Sequence, residues 1–395
     1  MKNERFYRNG FTLFLLALIL LPSVASCSSD GDTHSAPRQT GDGWETATLA
    51  DVGIDAGQID AAIARIRDDT YQNVHSLLIV KDGKLVCEEY FGGHAFDYNG
   101  DQFQGETIDY GIDTLHNQAS VTKAVTSALI GIAIDRGFIP GVDEKLLAYF
   151  SEYAHLKNEQ TDKITLRHLL TMTSGFEWNE MDVFYDDTRN DLIQLFIVPD
   201  PVAYILSKPV VAEPGARWYY SGGDVNLLGE IIRKATGLRM DDFAAEYLFA
   251  PLGISAYEWD FIKPDFIHAS GNLKLRPRDM AKLGYLYLNG GVWKGERIIS
   301  HAWIEDSTQA YMPIPRDCAL AGHGDAYGYQ WFLKTYYANG TPAHAYFRSG
   351  WGGQKIIVFP DLDIVLVFTG GNYTEPEPVD EIVTRYVLPA VLAPQ

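Results

Sequence analysis

The stretch LHNQASVTKAVTSALIGIAIDRGFIP, residues 115–140, decides how this chain is read. From Ala124 to Ile134 it is apolar apart from Thr126, Ser127 and Gly131, so it leaves no polar face for water and predicts a helix buried on all sides. Gly137 and Pro140 supply the stop. Ser120 and Lys123 stand at its mouth, three positions apart and so on one face of the first turn. Burial disfavours the charged form of an amine and leaves a lone pair free to take a proton. The dipole and unpaired N–H groups of a first helical turn favour negative charge nearby. A hydroxyl and an amine so placed suit an acyl-transfer serine. A single Ser-x-x-Lys is also common by chance, so the remainder of the chain has to carry the case.

Working outward, strand signals lie on both sides of this helix and helical signals lie after it. Residues 76–80 and 84–90 read as two strands joined by Asp82-Gly83, a hairpin turn. Residues 327–333, 356–359 and 364–368 read as further strands, with Pro360-Asp361 between the last two. Helical periodicity marks residues 56–66, a capped short helix within 165–175, residues 226–236 closed by Gly237, residues 279–288, and a closing helix over 379–392. Strands at both ends with helices between imply an α/β (α+β) fold: an antiparallel sheet built from the N- and C-terminal segments, flanked by helices, with a mostly helical region inserted. The α/β part spans about 46–140 and 291–395, the helical part about 141–290.

The first 26 residues stand apart. Lys2, Arg5 and Arg8 precede an apolar run, Phe11 to Leu21, too short to span a bilayer and expected to be a secretory signal. Residues 27–45, rich in Ser, Asp, Thr and Gly, read as a solvated tether before a domain at 46–395. With 52 acidic residues against 32 Lys and Arg, the net charge of −20 disfavours nucleic acid and anionic headgroups as partners. Of the three cysteines, Cys87 and Cys318 leave room for one disulfide, with nothing to say whether they meet. No C-x-x-C, H-E-x-x-H or G-x-S-x-G occurs, so neither a metal site nor a nucleophile elbow is expected. The acid-rich segment 176–191 reads as a solvated loop, with a lid over a cationic substrate as the alternative.

Several segments together resemble a known family. They are Ser120-Val121-Thr122-Lys123, TLRHLLTMTSG at 165–175, PGARWYYSGGDVNLLGEI at 214–231, PLGI at 251–254 and LRPRDMAKLGYLYLNGGVWKGERII at 275–299. In order and spacing they resemble the serine β-lactamase superfamily, in the class C-like branch that includes D-alanyl-D-alanine carboxypeptidases, family VIII esterases and 6-aminohexanoate-dimer hydrolases. The resemblance covers nearly all of residues 46–395. It implies a β-lactamase/penicillin-binding-protein-like fold and a serine hydrolase acting on a small-molecule or peptide ester or amide. Ser120 then falls on the nucleophile, Lys123 on the adjacent base, and Tyr220 on the general acid/base; whether Lys123 or Tyr220 takes the serine proton stays open. Arg348-Ser349-Gly350 falls on the third motif, expected on an edge strand and touching substrate. Trp351 would offer the second oxyanion N–H beside that of Ser120.

The departures are informative. The family's Tyr-x-Asn is Tyr220-Ser221-Gly222, so the asparagine is lost, Arg348 replaces a lysine or histidine, and Met172 stands where relatives often carry histidine. Tyr220-Ser221-Gly222 together with Gly350-Trp351-Gly352-Gly353-Gln354 resembles the aminohexanoate-dimer hydrolase and esterase members more than true β-lactamases; a catalytically silent scaffold, or a true β-lactamase or D-Ala-D-Ala carboxypeptidase, is the alternative. Val24-Ala25-Ser26-Cys27 further resembles a bacterial lipobox, which implies a lipid on Cys27 and, with Ser28 and Ser29 following, a periplasm-facing outer-membrane anchor. No cofactor is implied.

Overall fold

The computed structural model describes residues 35–393, which belong to one compact unit; the signal segment 1–26 and Cys27 lie outside the described residues. A nine-stranded sheet organises it. Its strands are β1 Glu45–Thr46, β2 Val74–Lys81, β3 Lys84–Tyr90, β4 Met312–Pro313, β5 Ala326–Tyr327, β6 Phe332–Ala338, β7 Thr341–Gly350, β8 Gln354–Phe359 and β9 Ile364–Gly370, in the spatial order β1-β3-β2-β9-β8-β7-β6-β5-β4. All neighbours are antiparallel except β1 with β3. The sheet is therefore sewn from the two ends of the chain, as the strand signals predict. Asp82 and Gly83 both have positive φ (51° and 73°), the backbone a two-residue hairpin with the native twist requires.

Strand parity divides the core. Leu78, Val80, Ile356, Val358, Val365 and Val367 face one cluster; Leu77, Ile79, Ile357, Phe359, Leu366 and Phe368 face the other. Successive strand residues point to opposite faces, so near-continuous apolar runs mark a sheet covered on both sides. Helix α1 (Ala56–Arg67) and the C-terminal helical stretch 379–392 cover the second face. The first face carries α2 (Thr122–Asp135), α3 (Gly222–Thr236) and α4 (Pro277–Leu288), with the rest of the helical region. Every residue of α2 from Thr122 to Ala133 is buried. On α4, a Cβ at Gly284 would lie 2.5 Å from Val365 Cγ1, so glycine lets this helix sit directly on the sheet.

Several expectations change. The strand read over 327–333 is two strands broken by a turn, where Gly328 N donates to Trp331 O (2.8 Å) and Gln330, at φ 68°, sends its side chain to Leu169 O and Leu170 O. The longest strand, β7, has no counterpart in the apolar pattern. The mostly helical region also carries short strands: Leu273–Leu275 and Glu258–Trp259 pair there, and Leu273–Leu275 joins them to His116–Asn117, just ahead of α2, in a small sheet. Residues 38–45 are held against the body while Arg38 to Gly41 stay exposed: the Arg278 guanidinium bonds Arg38 O, Thr40 and Asp42, and buried Trp44 packs against Tyr285 and Trp293. Cys87 and Cys318 are both free thiols.

Candidate active site

Ser120 lies in a single 3₁₀ turn, Ala119–Val121, that feeds α2. The residue before it, Ala119, has φ 43°, a left-handed backbone that costs a non-glycine residue about 1–3 kcal/mol and persists only where neighbours over-determine it. Here they do: Asn117 Oδ1 accepts Ala119 N (2.8 Å), Thr122 Oγ1 donates to Ala119 O (2.7 Å), and Leu273 O accepts Gln118 N (2.8 Å).

Lys123 is 1% exposed. Its Nζ lies 3.0 Å from Ser120 Oγ and donates to Ser270 O at 2.6 Å. Thr126 Oγ1 donates to Ala269 O (2.6 Å) and Thr122 Oγ1 accepts Leu273 N (3.2 Å), so successive turns of α2 are stitched to residues 269–273. Asn226 of α3 braces the same segment through Ser270 Oγ (3.1 Å).

Tyr220 enters from the N-terminus of α3, where Ser221 Oγ caps Asp224 N (3.0 Å). Met172 is fully buried and its carbonyl holds Tyr219 N (2.9 Å), a structural duty for that position. The Tyr220 hydroxyl reaches Ser120 Oγ at 2.7 Å. Hydroxyl, amine and phenol, separated by up to 100 residues in sequence, thus meet at one atom.

The third motif behaves differently from the expectation. β7 pairs with β6 over Thr341–Phe347 and with β8 only from Tyr346 onward, so Arg348–Gly350 pair with β8 alone and the strand becomes an edge just where Ser120 packs against it. Gly350 is required there: a Cβ would lie 2.4 Å from Gln118 O and 3.0 Å from Ser120 N. Arg348, expected to meet substrate, is 0% exposed. Its guanidinium donates to Ser120 O (2.8 Å), Tyr327 OH (2.6 Å), Gln330 O (3.2 Å) and Tyr220 OH (3.2 Å). Five donors in a planar fork can satisfy four fixed acceptors at once, and this commitment places Arg348 behind the site rather than in it. Ser349 Oγ is likewise engaged, by His323 Nε2 at 2.6 Å. Trp351 follows at the edge, and its ring, anchored by Nε1 to Tyr373 O (2.7 Å), forms a wall.

A cavity of about 470 Å³ opens on Ser120. Phe96, Tyr98, Tyr185, Trp351 and Tyr373 make its aromatic side; Asn117, Asp260, His268 and Asn272 contribute polar groups. No lysine or arginine is among its lining residues. The acid-rich segment 176–191 borders this space through Tyr185, while its acids divide: Asp182 and Asp186 are exposed, Glu180 and Asp191 buried. Glu180 Oε2 accepts Trp178 Nε1 (2.7 Å) and Gly222 N (2.6 Å), and a Cβ on Gly222 would sit 2.7 Å from that oxygen. A buried carboxylate therefore occupies the space beside the position where the resemblance expects an asparagine. Glu180, His268, Asn226 and Tyr327 were not singled out by the sequence reading; a lone acid in an acidic run and a lone histidine carry no local signal.

Comparison with known proteins places the fold in a family. The beta-lactamase family model matches residues 59–388. The 6-aminohexanoate-dimer hydrolase of Paenarthrobacter ureafaciens is 26% identical over 245 residues, 58% of this chain and 56% of that enzyme. Monacolin J acid methylbutanoyltransferase of Aspergillus terreus is 31% identical over 161 residues, 36% of this chain and 38% of its own length. The chain thus spans about half or less of the length of these curated relatives. A family VIII carboxylesterase structure superposes with a TM-score of 0.65 at 19% identity, covering 85% of this chain and 97% of that one. With the family model spanning most of its length, the chain belongs to the beta-lactamase family.

Proposed function

We propose that this protein is a serine hydrolase that cleaves an ester or amide through an acyl-enzyme on Ser120. One observation carries the reading: Tyr220 OH and Lys123 Nζ both lie within hydrogen-bonding distance of Ser120 Oγ at the floor of an open cavity. As Ser120 Oγ bonds to the substrate carbonyl carbon, its proton passes to Tyr220 acting as the phenolate or to Lys123 acting as the free amine, and the carbonyl π electrons move onto oxygen. Arg348 and Lys123 flank Tyr220, the first bonding its oxygen and the second 4.9 Å from its ring centroid, which stabilises negative charge on the phenol oxygen. That favours Tyr220 as the proton acceptor. The N–H groups of Ser120 and Trp351 are the proposed oxyanion donors. Collapse expels the leaving group with the stored proton; water, deprotonated by the same pair, then attacks the acyl carbonyl, the acyl–Oγ bond breaks and Ser120 Oγ takes that proton back.

An uncharged ester is the favoured substrate class. A carboxylate-bearing β-lactam or peptide terminus needs a cation in the cavity, and Arg348 is spent on protein acceptors. The names of the relatives, an amide hydrolase, an acyltransferase and a carboxylesterase, fit acyl transfer in general. A fluorophosphonate probe tests the reading: wild type should be labelled and Ser120→Ala should not. Folded wild type that resists the probe, and leaves p-nitrophenyl esters intact, would favour a silent binding role.

The N-terminal segment supports a place in the cell envelope, with Cys27 lipidated, the body facing the periplasm and the outer membrane as the destination. Metabolic labelling with palmitate should mark the wild type and not Cys27→Ala; equal labelling of the two would remove the anchor.

A further inference from the structure

The cavity at Ser120 has two apolar walls, and the protein covers only one of them. On the first, the Trp351 ring packs against Phe96, Phe103, Phe184, Tyr185 and Tyr373, with centroids 4.9–5.7 Å apart. Rings so arranged satisfy one another's faces and edges. The second wall is the short helix Asp191–Ile197, which is apolar on two sides. Leu192 and Leu195 turn into the core. Ile193, Phe196 and Ile197, at positions i, i+3 and i+4, share the other face and belong to neither core cluster. Ile193 and Phe196 line the cavity, and Ile197 continues the face outward. Phe196 is 39% and Ile197 56% exposed. Among the described residues the one ring against Phe196 is that of His268, perpendicular at 5.4 Å.

This exposed face is held in place. Asn190 Oδ1 accepts Leu192 N (3.0 Å), Asn179 N donates to the Asp191 carboxylate (2.6 Å), and Lys263 Nζ donates to Phe196 O (2.8 Å), so both ends of the helix are tied down. A helix apolar all round is normally buried, and an apolar patch kept open beside a cavity marks a binding surface. Continuity names the occupant. The face runs into the same cavity that opens on Ser120, and that cavity has no lysine or arginine in its lining to draw in an acid. An aliphatic chain joined to an ester held at Ser120 can lie along Ile193 and Phe196 and reach Ile197.

We propose that the Ile193–Phe196–Ile197 face of this helix is a chain-binding subsite, and that the substrates are esters carrying a medium-length aliphatic chain. This rests on the Ser120 hydrolase reading and gives that site its substrate class.

The test compares ester pairs that differ only in chain length, each below the concentration at which it forms micelles. One pair varies the acyl chain (p-nitrophenyl butyrate and octanoate), the other the alcohol (butyl and octyl butyrate). Full burial of a methylene is worth about fourfold in binding, and half of that effect on a partly open face is about twofold, so wild type should favour the longer member of one pair by about tenfold in kcat/KM. Phe196→Ser and Ile197→Ser should each lower that ratio, with Phe196→Leu keeping most of it. The ratio cancels any general damage to the Ser120 machinery. Val211→Ser, at an exposed apolar residue outside the cavity lining, should leave the ratio unchanged. A wild-type preference that survives Phe196→Ser and Ile197→Ser alike would overturn the inference. So would ratios near one in both pairs, and if these come with a dimer that Phe196→Ser dissolves, the face belongs to a second copy of the chain. Wild type that takes the fluorophosphonate label but shows no chain-length preference overturns this inference alone. Folded wild type with neither label nor turnover overturns both readings.

Discussion

Two regions of this molecule bury cations in opposite ways. Beneath the sheet edge that holds residues 38–45, Arg278 is 3% exposed and meets Glu88, 6% exposed, through two bonds of 2.6 Å, with Asp42 at 3.2 Å. Lys355, 1% exposed, meets Glu377 at 3.0 Å and Asp380 at 2.8 Å. In the Ser120 corner, Lys123 and Arg348 are just as buried, yet no carboxylate pairs with either among the described residues; every hydrogen-bond partner is a carbonyl or a hydroxyl. A buried charge is normally neutralised, because desolvating it alone is expensive. Where two cations are left uncompensated, their field is available to whatever negative charge forms between them, and what lies between them is Tyr220 and Ser120. The acid nearest in sequence to this tyrosine obeys the same logic. Burial pushes the Asp224 carboxyl up to about 8, so below that pH its neutral form is favoured.

The comparison breaks most decisively through Lys123→Met. Activity on esters should fall by about 10³-fold or more, while thermal stability holds or rises, because an unpaired buried ammonium gives way to an isosteric apolar chain. A sharp loss of stability would show that Lys123 is structural like Arg278. Arg278→Met should behave in the reverse sense. It leaves Glu88 buried and unpaired, so unfolding free energy should drop by about 3 kcal/mol in denaturant titrations, with fluorophosphonate labelling of the folded protein retained. Glu88→Gln in the same background should recover part of the loss.

A further effect concerns pH. Because the folded-state value of Asp224 is raised, from an ordinary 3.8 to about 8, its stabilising contribution is complete below about 4 and is lost as pH rises toward 8. Asp224→Asn should therefore flatten the melting-temperature profile between those limits, with its largest relative gain at the alkaline end. A variant profile parallel to wild type would remove Asp224 from the account.

Much of the site was legible in sequence wherever it is local. Ser120 and Lys123 share a helical face by period alone, and Tyr220 was placed by the order and spacing of the family segments. β7 was not legible. Its segment, Thr341–Gly350, carries Pro342 and His344 in an exposed outer half, then six consecutive buried residues that include Arg348, so it shows neither clean alternation nor an apolar run. Glu180 was hidden for the opposite reason. An acid among acids reads as solvated, and only Trp178 and Gly222 closing around it reveal a buried carboxylate.

What the sequence determined by itself is the buried helix with its reactive mouth, the Asp82-Gly83 hairpin and the family, because each depends on neighbours within a few turns or on ordered spacing. What only the tertiary structure decided is where charge and polarity are spent. Arg348 reaches Ser120 across 228 residues and Lys123 reaches Ser270 across 147. Whether such a group binds substrate or braces a tyrosine depends on which distant acceptors folding brings within 3 Å of it.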